Sequence, residues 1–181
     1  MKVICISGKA GSGKDYTATY LKAKLEEYDY RVLVTHYGDL VKFVCTKFFD
    51  WNGEKDEAGR HLLQYIGTDI VRTQDPNYWV DFIIDVLKFF SDKWDYVLIP
   101  DCRFPNEIER LKENGLDVIH VRIKRLNYDN GYSEERKNHI SETALDNYPY
   151  DYELTNMGNE YYELTMDALT NILFDDFMKR S

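Results

Sequence analysis

Short apolar runs alternate along this chain with stretches whose apolar residues return every three or four positions. Val3 to Ser7 (VICIS), Tyr96 to Pro100 (YVLIP) and Val118 to Ile123 (VIHVRI) are almost wholly apolar, and Arg31 to Tyr37 is a mixed run rich in β-branched and aromatic residues. Runs of that length and continuity suit strands covered on both faces, and strands separated by helical stretches predict a parallel sheet. Asp151 to Thr155 is a weaker fifth strand. Between the strands, Lys14 to Tyr28 carries a helical stripe through Tyr16, Tyr20, Leu21, Ala23, Leu25 and Tyr28. Gly59 to Arg72 and Tyr78 to Phe90 read as two further helices, with Asp75-Pro76-Asn77 as the turn between them. Phe104 to Asn114 is a short helix ended by Gly115, and Glu160 to Lys179 is a long amphipathic one. No internal repeat is present.

Two segments interrupt this alternation. Residues 38–92 are far more than one crossover helix requires, so they are expected to form a helical insertion that builds a second pocket. Leu126 to Asn147 is the most polar stretch, and residues 125–147 fit either a mobile lid or an ordinary solvated loop. With 181 residues and no Pro/Gly-rich linker, the chain suits one domain, 1–181, that buries about two thirds of its unfolded surface.

Composition narrows the classes of partner. A net charge of -9 disfavours nucleic acid and anionic membranes, so any anionic ligand must meet a local cationic pocket. Cys5, Cys45 and Cys102 are odd in number and lack a C-x-x-C pair, which points away from a disulfide framework or zinc and towards a reducing cytoplasm. The opening MKVICISGKAG is too short an apolar run for a signal peptide, and no apolar stretch reaches the roughly 20 residues of a membrane helix.

The chemistry is concentrated after the first strand. KVICISGKAGSGKDYTA meets the phosphate-loop pattern G-x-x-x-x-G-K-[ST] at Gly8, Gly13 and Lys14, except that Asp15 stands where a hydroxyl normally holds magnesium. Glycines at 8, 11 and 13 let backbone N–H groups approach an anion, the helix start adds positive potential, and Lys14 can reach β- and γ-phosphates. A carboxylate at Asp15 can ligate magnesium or hold its waters, or it can simply stabilise the first helical turn. Thr17 is a weaker phosphate or magnesium candidate.

The third strand delivers Asp101 at its carboxyl end, on the side of the sheet where ligands bind, followed by Arg103, Asn106 and Glu107. Asp101 is a magnesium or acceptor candidate, or a cap for the helix Phe104 to Asn114. Within the insertion, Arg60 and Gln64 share a helical face, with Asp69 and Arg72 near, and this side can bind a monophosphate and its base or merely face solvent. Arg125 and Arg136 are candidate cations for neutralising a transferred phosphoryl group. His139 suits a packing or substrate contact better than a base. Asn156 and Gly158, just past the fifth strand, are placed to touch an adenine or to start the last helix.

Taken in order, ISGKAGSGKDYTA, HLLQYIGTDIVR followed by WV, IPDCRFPNEIE and HISE resemble the phage-type deoxynucleoside monophosphate kinases, a branch of the P-loop nucleoside monophosphate kinase group. GKD in place of GK[ST] is itself a feature of that branch. The resemblance implies a P-loop NTPase three-layer α/β/α fold with a five-stranded parallel sheet, and transfer of the ATP γ-phosphate to a deoxynucleoside monophosphate with Mg2+. It implies ATP contacts at Gly8, Ala10, Gly11, Ser12, Gly13, Lys14, Asp15, Tyr16 and Asn156, and metal contacts at Asp15 and Asp101. Acceptor contacts are implied at Asp39, Lys42, Arg60, Gln64, Arg72, Trp79, Asp101, Arg103, Asn106, Glu107 and Glu142. Lys14, Arg125 and Arg136 are the catalytic candidates. The expected partners are small-molecule nucleotides, with a homodimer as a compatible assembly. A P-loop kinase of another small acceptor, such as dephospho-coenzyme A or phosphomevalonate, and a nucleotide-binding switch are the alternatives.

Overall fold

The computed structural model describes residues 1–129, 131–158 and 160–178. Five strands form one parallel sheet in the order β2-β3-β1-β4-β5: β1 Lys2–Ser7, β2 Val32–Val34, β3 Tyr96–Cys102, β4 Asp117–Arg125 and β5 Tyr152–Asn156. The helices are α1 Lys14–Glu26, α2 Tyr37–Phe48, α3 Glu57–Gln64, α4 Tyr78–Phe89, α5 Asn106–Glu113, α6 Glu134–Lys137, α7 Ile140–Thr143 and α8 Glu160–Met178, with a π-helical segment, Tyr65–Arg72, continuing α3. Among the described residues no helix is long and apolar enough to cross a membrane.

The central strands explain the layering. Every residue of β1 is buried, and its side chains alternate between two cores. Ile4 and Ile6 pack with Leu21 and Leu25 of α1 and Met166, Leu169 and Leu173 of α8, whereas Val3 and Cys5 pack with Val80, Ile84 and Leu87 of α4 and Ile108 and Leu111 of α5. A third cluster joins Val41 and Cys45 of α2 to Ile66 of the π-helical segment, Trp79 and Trp51. It gives the insertion a core of its own beside the sheet.

Several expected boundaries are corrected. The second strand is only Val32–Val34, and Tyr37 opens α2, which the sequence reading folded into that strand. The helix expected over Gly59 to Arg72 begins at Glu57, capped by the Asp56 carboxylate accepting from Gly59 N–H at 2.7 Å, and changes to π winding after Gln64. The apolar stripe of α1 is narrower than expected: Ala18, Leu21 and Leu25 are buried, while Tyr16 and Tyr28 are exposed. The polar stretch after Leu126 contains two one-turn helices, α6 and α7, each capped locally by Ser133 or His139. Lys179, expected to end the last helix, and Asn130 of the polar stretch lie outside the described residues.

Candidate active site

The carboxyl ends of β1 and β3 meet the insertion and the polar segment around a crevice of about 480 Å³. On its sheet side, β1 stops at Ser7 and the chain turns through Gly8, Gly11 and Gly13, all at positive φ (143°, 75° and 105°). Gly8 is required for space as well: a Cβ there would lie 2.5 Å from the Ile123 carbonyl oxygen. Lys14, the first residue of α1, is 9% exposed, and its Nζ donates to the carbonyls of Gly8 at 2.7 Å and Lys9 at 3.0 Å. Burial, reinforced by the Arg103 guanidinium, lowers its pKa to about 8, although Glu142, Asp15 and Asp101 pull the other way.

That depressed value has a measurable consequence. An anion bound at Lys14 would favour the ammonium, so uptake of a triphosphate above pH 8 would draw a proton from solution, and its affinity would fall as pH rises above 8. Titration calorimetry at pH 8.5 in two buffers of different ionisation enthalpy is expected to give net proton uptake, which vanishes at pH 6.5 and in Lys14→Arg. Equal heats in both buffers at pH 8.5 would contradict it.

Asp15 sits at the mouth with its side chain 83% exposed, and His36 Nε2 lies 3.1 Å from its Oδ1. That hydrogen bond holds the Asp15 carboxyl below its ordinary value and raises His36. His36 Nδ1 also faces Asp39 Oδ2 at 3.3 Å, and Asp39 Oδ1 accepts from Lys42 at 2.7 Å. Thr17 does not reach the crevice. It is fully buried, bonded to the Gly13 carbonyl at 2.9 Å and to the Tyr162 hydroxyl. Asn156 also supports the loop, donating to the Ser12 carbonyl at 2.9 Å.

Across the crevice, Asp101 accepts from the backbone N–H groups of Tyr37 at 3.0 Å and Gly38 at 2.8 Å, so it caps α2 rather than α5. The start of α5 is served by Glu107, 1% exposed, whose Oε2 accepts from Arg103 N–H and Phe104 N–H at 2.5 and 3.0 Å. Its Oε1 pairs with Arg72, which stacks over Phe104 at 4.3 Å. Burial pushes the Glu107 carboxyl up, opposed by Arg72 and the two N–H groups. Trp79 donates from Nε1 to the Gly67 carbonyl at 2.9 Å. Arg60, Gln64 and Arg72 line this side of the crevice together with Trp79.

The polar segment completes the wall. Arg136 lines the crevice with its guanidinium 3.5 Å over the Tyr132 ring. Arg125 instead lies outside the lining, donates to the Gly11 carbonyl at 2.7 Å and stacks over Tyr128 at 3.8 Å. Glu142 accepts from Ala10 N–H at 2.9 Å and from Arg103 at 2.5 Å. His139 caps α7 and lines the crevice.

Of the residues singled out from sequence, the crevice gathers Ala10, Gly11, Lys14, Asp15, Lys42, Arg60, Gln64, Arg72, Trp79, Asp101, Arg103, Glu107, Arg136 and Glu142. Asn106 stays outside, tying down the Pro76 carbonyl and Asn77 at 2.8 and 2.9 Å, and Tyr16 is turned to Glu163 at 2.7 Å. His36, Lys55 and Tyr132 line it without having been singled out. His36 gave no separate signal, since it lay inside the run Arg31 to Tyr37 expected to be a strand, whereas β2 ends at Val34. Lys55 and Tyr132 gave none, since nothing in their local pattern places them inward.

A family model described as deoxynucleotide monophosphate kinase matches residues 36–164, which includes both the insertion and the polar segment. The chain belongs to the deoxynucleotide monophosphate kinase family. Among curated relatives, the deoxynucleotide monophosphate kinase of Enterobacteria phage T4 is 40% identical over 72 residues, covering 39% of this chain and 30% of that one. The enzyme of the same name from Escherichia phage RB69 is 31% identical over 102 residues, 55% of this chain and 39% of that one. The chain thus matches less than half the length of these relatives. Solved structures of a shikimate kinase from Aquifex aeolicus (TM-score 0.52, 16% identity, 98% of this chain and 99% of that one) and an APS kinase from Mycobacterium tuberculosis (TM-score 0.51, 16% identity, 96% and 95%) share its fold. The family member is therefore built on the P-loop α/β architecture.

Proposed function

We propose that the chain transfers the γ-phosphoryl group of ATP to a deoxynucleoside monophosphate, giving ADP and the deoxynucleoside diphosphate. The observation that carries this reading is a buried lysine and a glycine loop facing, across one crevice, a pocket that offers Arg60, Gln64 and Arg72 beside the apolar wall of Trp79. The first half suits a polyphosphate chain, and the second suits a phosphate with an aromatic base.

The acceptor phosphate oxygen attacks the γ-phosphorus in line, and the bond from that phosphorus to the β-bridging oxygen breaks. No protein base is required, because the attacking phosphate is already ionised. Lys14, Arg103 and Arg136 neutralise charge on the moving group, and the insertion and polar segment hold the two substrates end to end while excluding water.

Magnesium fits this site as a nucleotide-borne ion. Among the described residues no cluster of three His, Cys, Asp or Glu side chains forms a cage, but the exposed Asp15 carboxylate beside Lys14 suits an ion that keeps several waters. Asp15 would hold the ion or its waters, and the bound ion would supply charge neutralisation on the phosphate chain.

The test is an acceptor panel of the four deoxynucleoside monophosphates, their ribose counterparts, dephospho-coenzyme A and phosphomevalonate, read by mass detection of products. Diphosphate is expected from at least one deoxynucleotide, and product from the non-nucleotide acceptors alone would overturn the proposal. Arg136→Ala is expected to lower kcat about 10²- to 10³-fold, in the range for losing one charge-stabilising donor. Arg125→Ala, which removes a group already bonded to the loop, should cost less than about tenfold. The reverse order would move the catalytic role to Arg125.

A further inference from the structure

Glu142 makes more of the site than a residue that only lines a pocket. Its side chain is 9% exposed and bridges two walls: Oε2 accepts from the Ala10 amide of the glycine loop, and Oε1 from Arg103 at the end of β3. The backbone around it is held as well. Lys9 Nζ donates to the Glu142 carbonyl and to Asp146, both at 2.7 Å, and Arg103 also reaches the Ser141 carbonyl at 3.2 Å. A loop amide and a guanidinium, with the Lys14 ammonium near, are the donors that grip a phosphoryl oxygen. Here they hold a carboxylate of the same charge sign.

We propose that Glu142 is a displaceable internal substitute for a phosphoryl group, holding the Ala10 amide and Arg103 until a triphosphate takes both and thereby releasing the segment that carries it. The proposal rests on the reading of the glycine loop as a triphosphate site. One of the two donors belongs to the loop and the other to the opposite strand end, so the carboxylate marks the outer end of the phosphate chain. Its competition is therefore with the terminal phosphate of ATP far more than with ADP. Two anions brought to the same pair of donors repel, so the carboxylate must leave as the terminal phosphate enters. The departure removes the side-chain tie between residues 134–146 and the loop, leaving the Lys9 bonds to the Glu142 carbonyl and Asp146, and so couples donor binding to rearrangement of the wall that carries Arg136.

Glu142→Gln keeps the shape and removes the charge. Equilibrium binding with Mg2+ present is expected to show ATP bound about tenfold more tightly by this variant and ADP changed less than about threefold. Glu142→Asp, which withdraws the carboxylate by one methylene, is expected to fall between. Unchanged or weaker ATP binding by Glu142→Gln overturns the proposal, as it would for a group that contacts the nucleotide or its metal directly. Hydrogen exchange without nucleotide supplies a second readout that does not depend on triphosphate binding: residues 134–146 should exchange faster in Glu142→Gln than in the native chain, and equal protection overturns the latch. If the native chain binds no ATP while the exchange difference is present, the kinase reading and the phosphoryl role fail together, and only a structural tie survives.

Discussion

Lys14→Met is expected to lose at least about 10³-fold in turnover and, at the same time, to melt at a higher temperature than the native chain. The loss follows from removing the buried ammonium at the end of the glycine loop, which faces the crevice. The gain follows from burial. A lysine whose pKa falls from 10.5 to about 8 on folding carries a cost of about 3 kcal/mol at neutral pH, partly offset by its bonds to the Gly8 and Lys9 carbonyls. Relief of part of that cost should raise Tm by about 3–6 °C in a chain of this size. The sign can be checked through pH. Between pH 8 and 10.5 the unfolded lysine holds a proton that the folded one has released, so the penalty from Lys14 fades there, a gain the variant lacks. The difference in Tm should therefore be largest below pH 8 and shrink above it. A variant that melts lower at pH 7, or that turns over normally, contradicts this account of Lys14.

Glu107→Ala is expected to be the most damaging single change to stability, costing about 3–5 kcal/mol, the range for stripping one partner from a buried ion pair. Glu107 is 1% exposed, and three donors converge on it: the Arg72 guanidinium and the N–H groups of Arg103 and Phe104. Removing the carboxylate strips all three of that acceptor, with Arg72 keeping a 3.4 Å bond to the Pro76 carbonyl, and a fall in Tm of about 10 °C follows. Glu107→Gln keeps an acceptor for the backbone donors but not the charge, so it should lose roughly half as much. Chemical denaturation of both variants provides the measurement, and a loss below about 1 kcal/mol for Glu107→Ala would show that Arg72 finds another partner.

The parallel sheet was readable because β1 and β3 are covered on both faces and so appear as nearly unbroken apolar runs, with the half-buried β4 a weaker copy of the pattern. The same logic misjudged the edge. β2 keeps only three residues, and the following Tyr37-Gly38 looks extended in sequence although it starts a helix. That helix has no side-chain cap of its own next to it in the chain; its first N–H groups are met by Asp101, from the end of β3. Capping supplied from so far away leaves no trace in a local pattern. The glycine loop was legible for the opposite reason, since spacing, conformation and charge all lie within Gly8 to Asp15. Glu142 and His36 show where such reading runs out. What each does depends on a neighbour brought in by folding, Ala10 and Arg103 for one and Asp15 for the other.

The π-helical winding of Tyr65–Arg72 sets the angular phase of everything that follows it. Rewinding these same residues as ordinary helix, with none lost, would swing each residue beyond by about 100° around the axis. Arg72 would leave Glu107, and the Gly67 carbonyl would no longer meet the Trp79 indole. The sheet, whose strands lie outside this segment, would survive such a rewinding, while the crevice wall that Arg72 and Trp79 form would be dismantled. The winding of this segment thus shapes the crevice as directly as its side chains do.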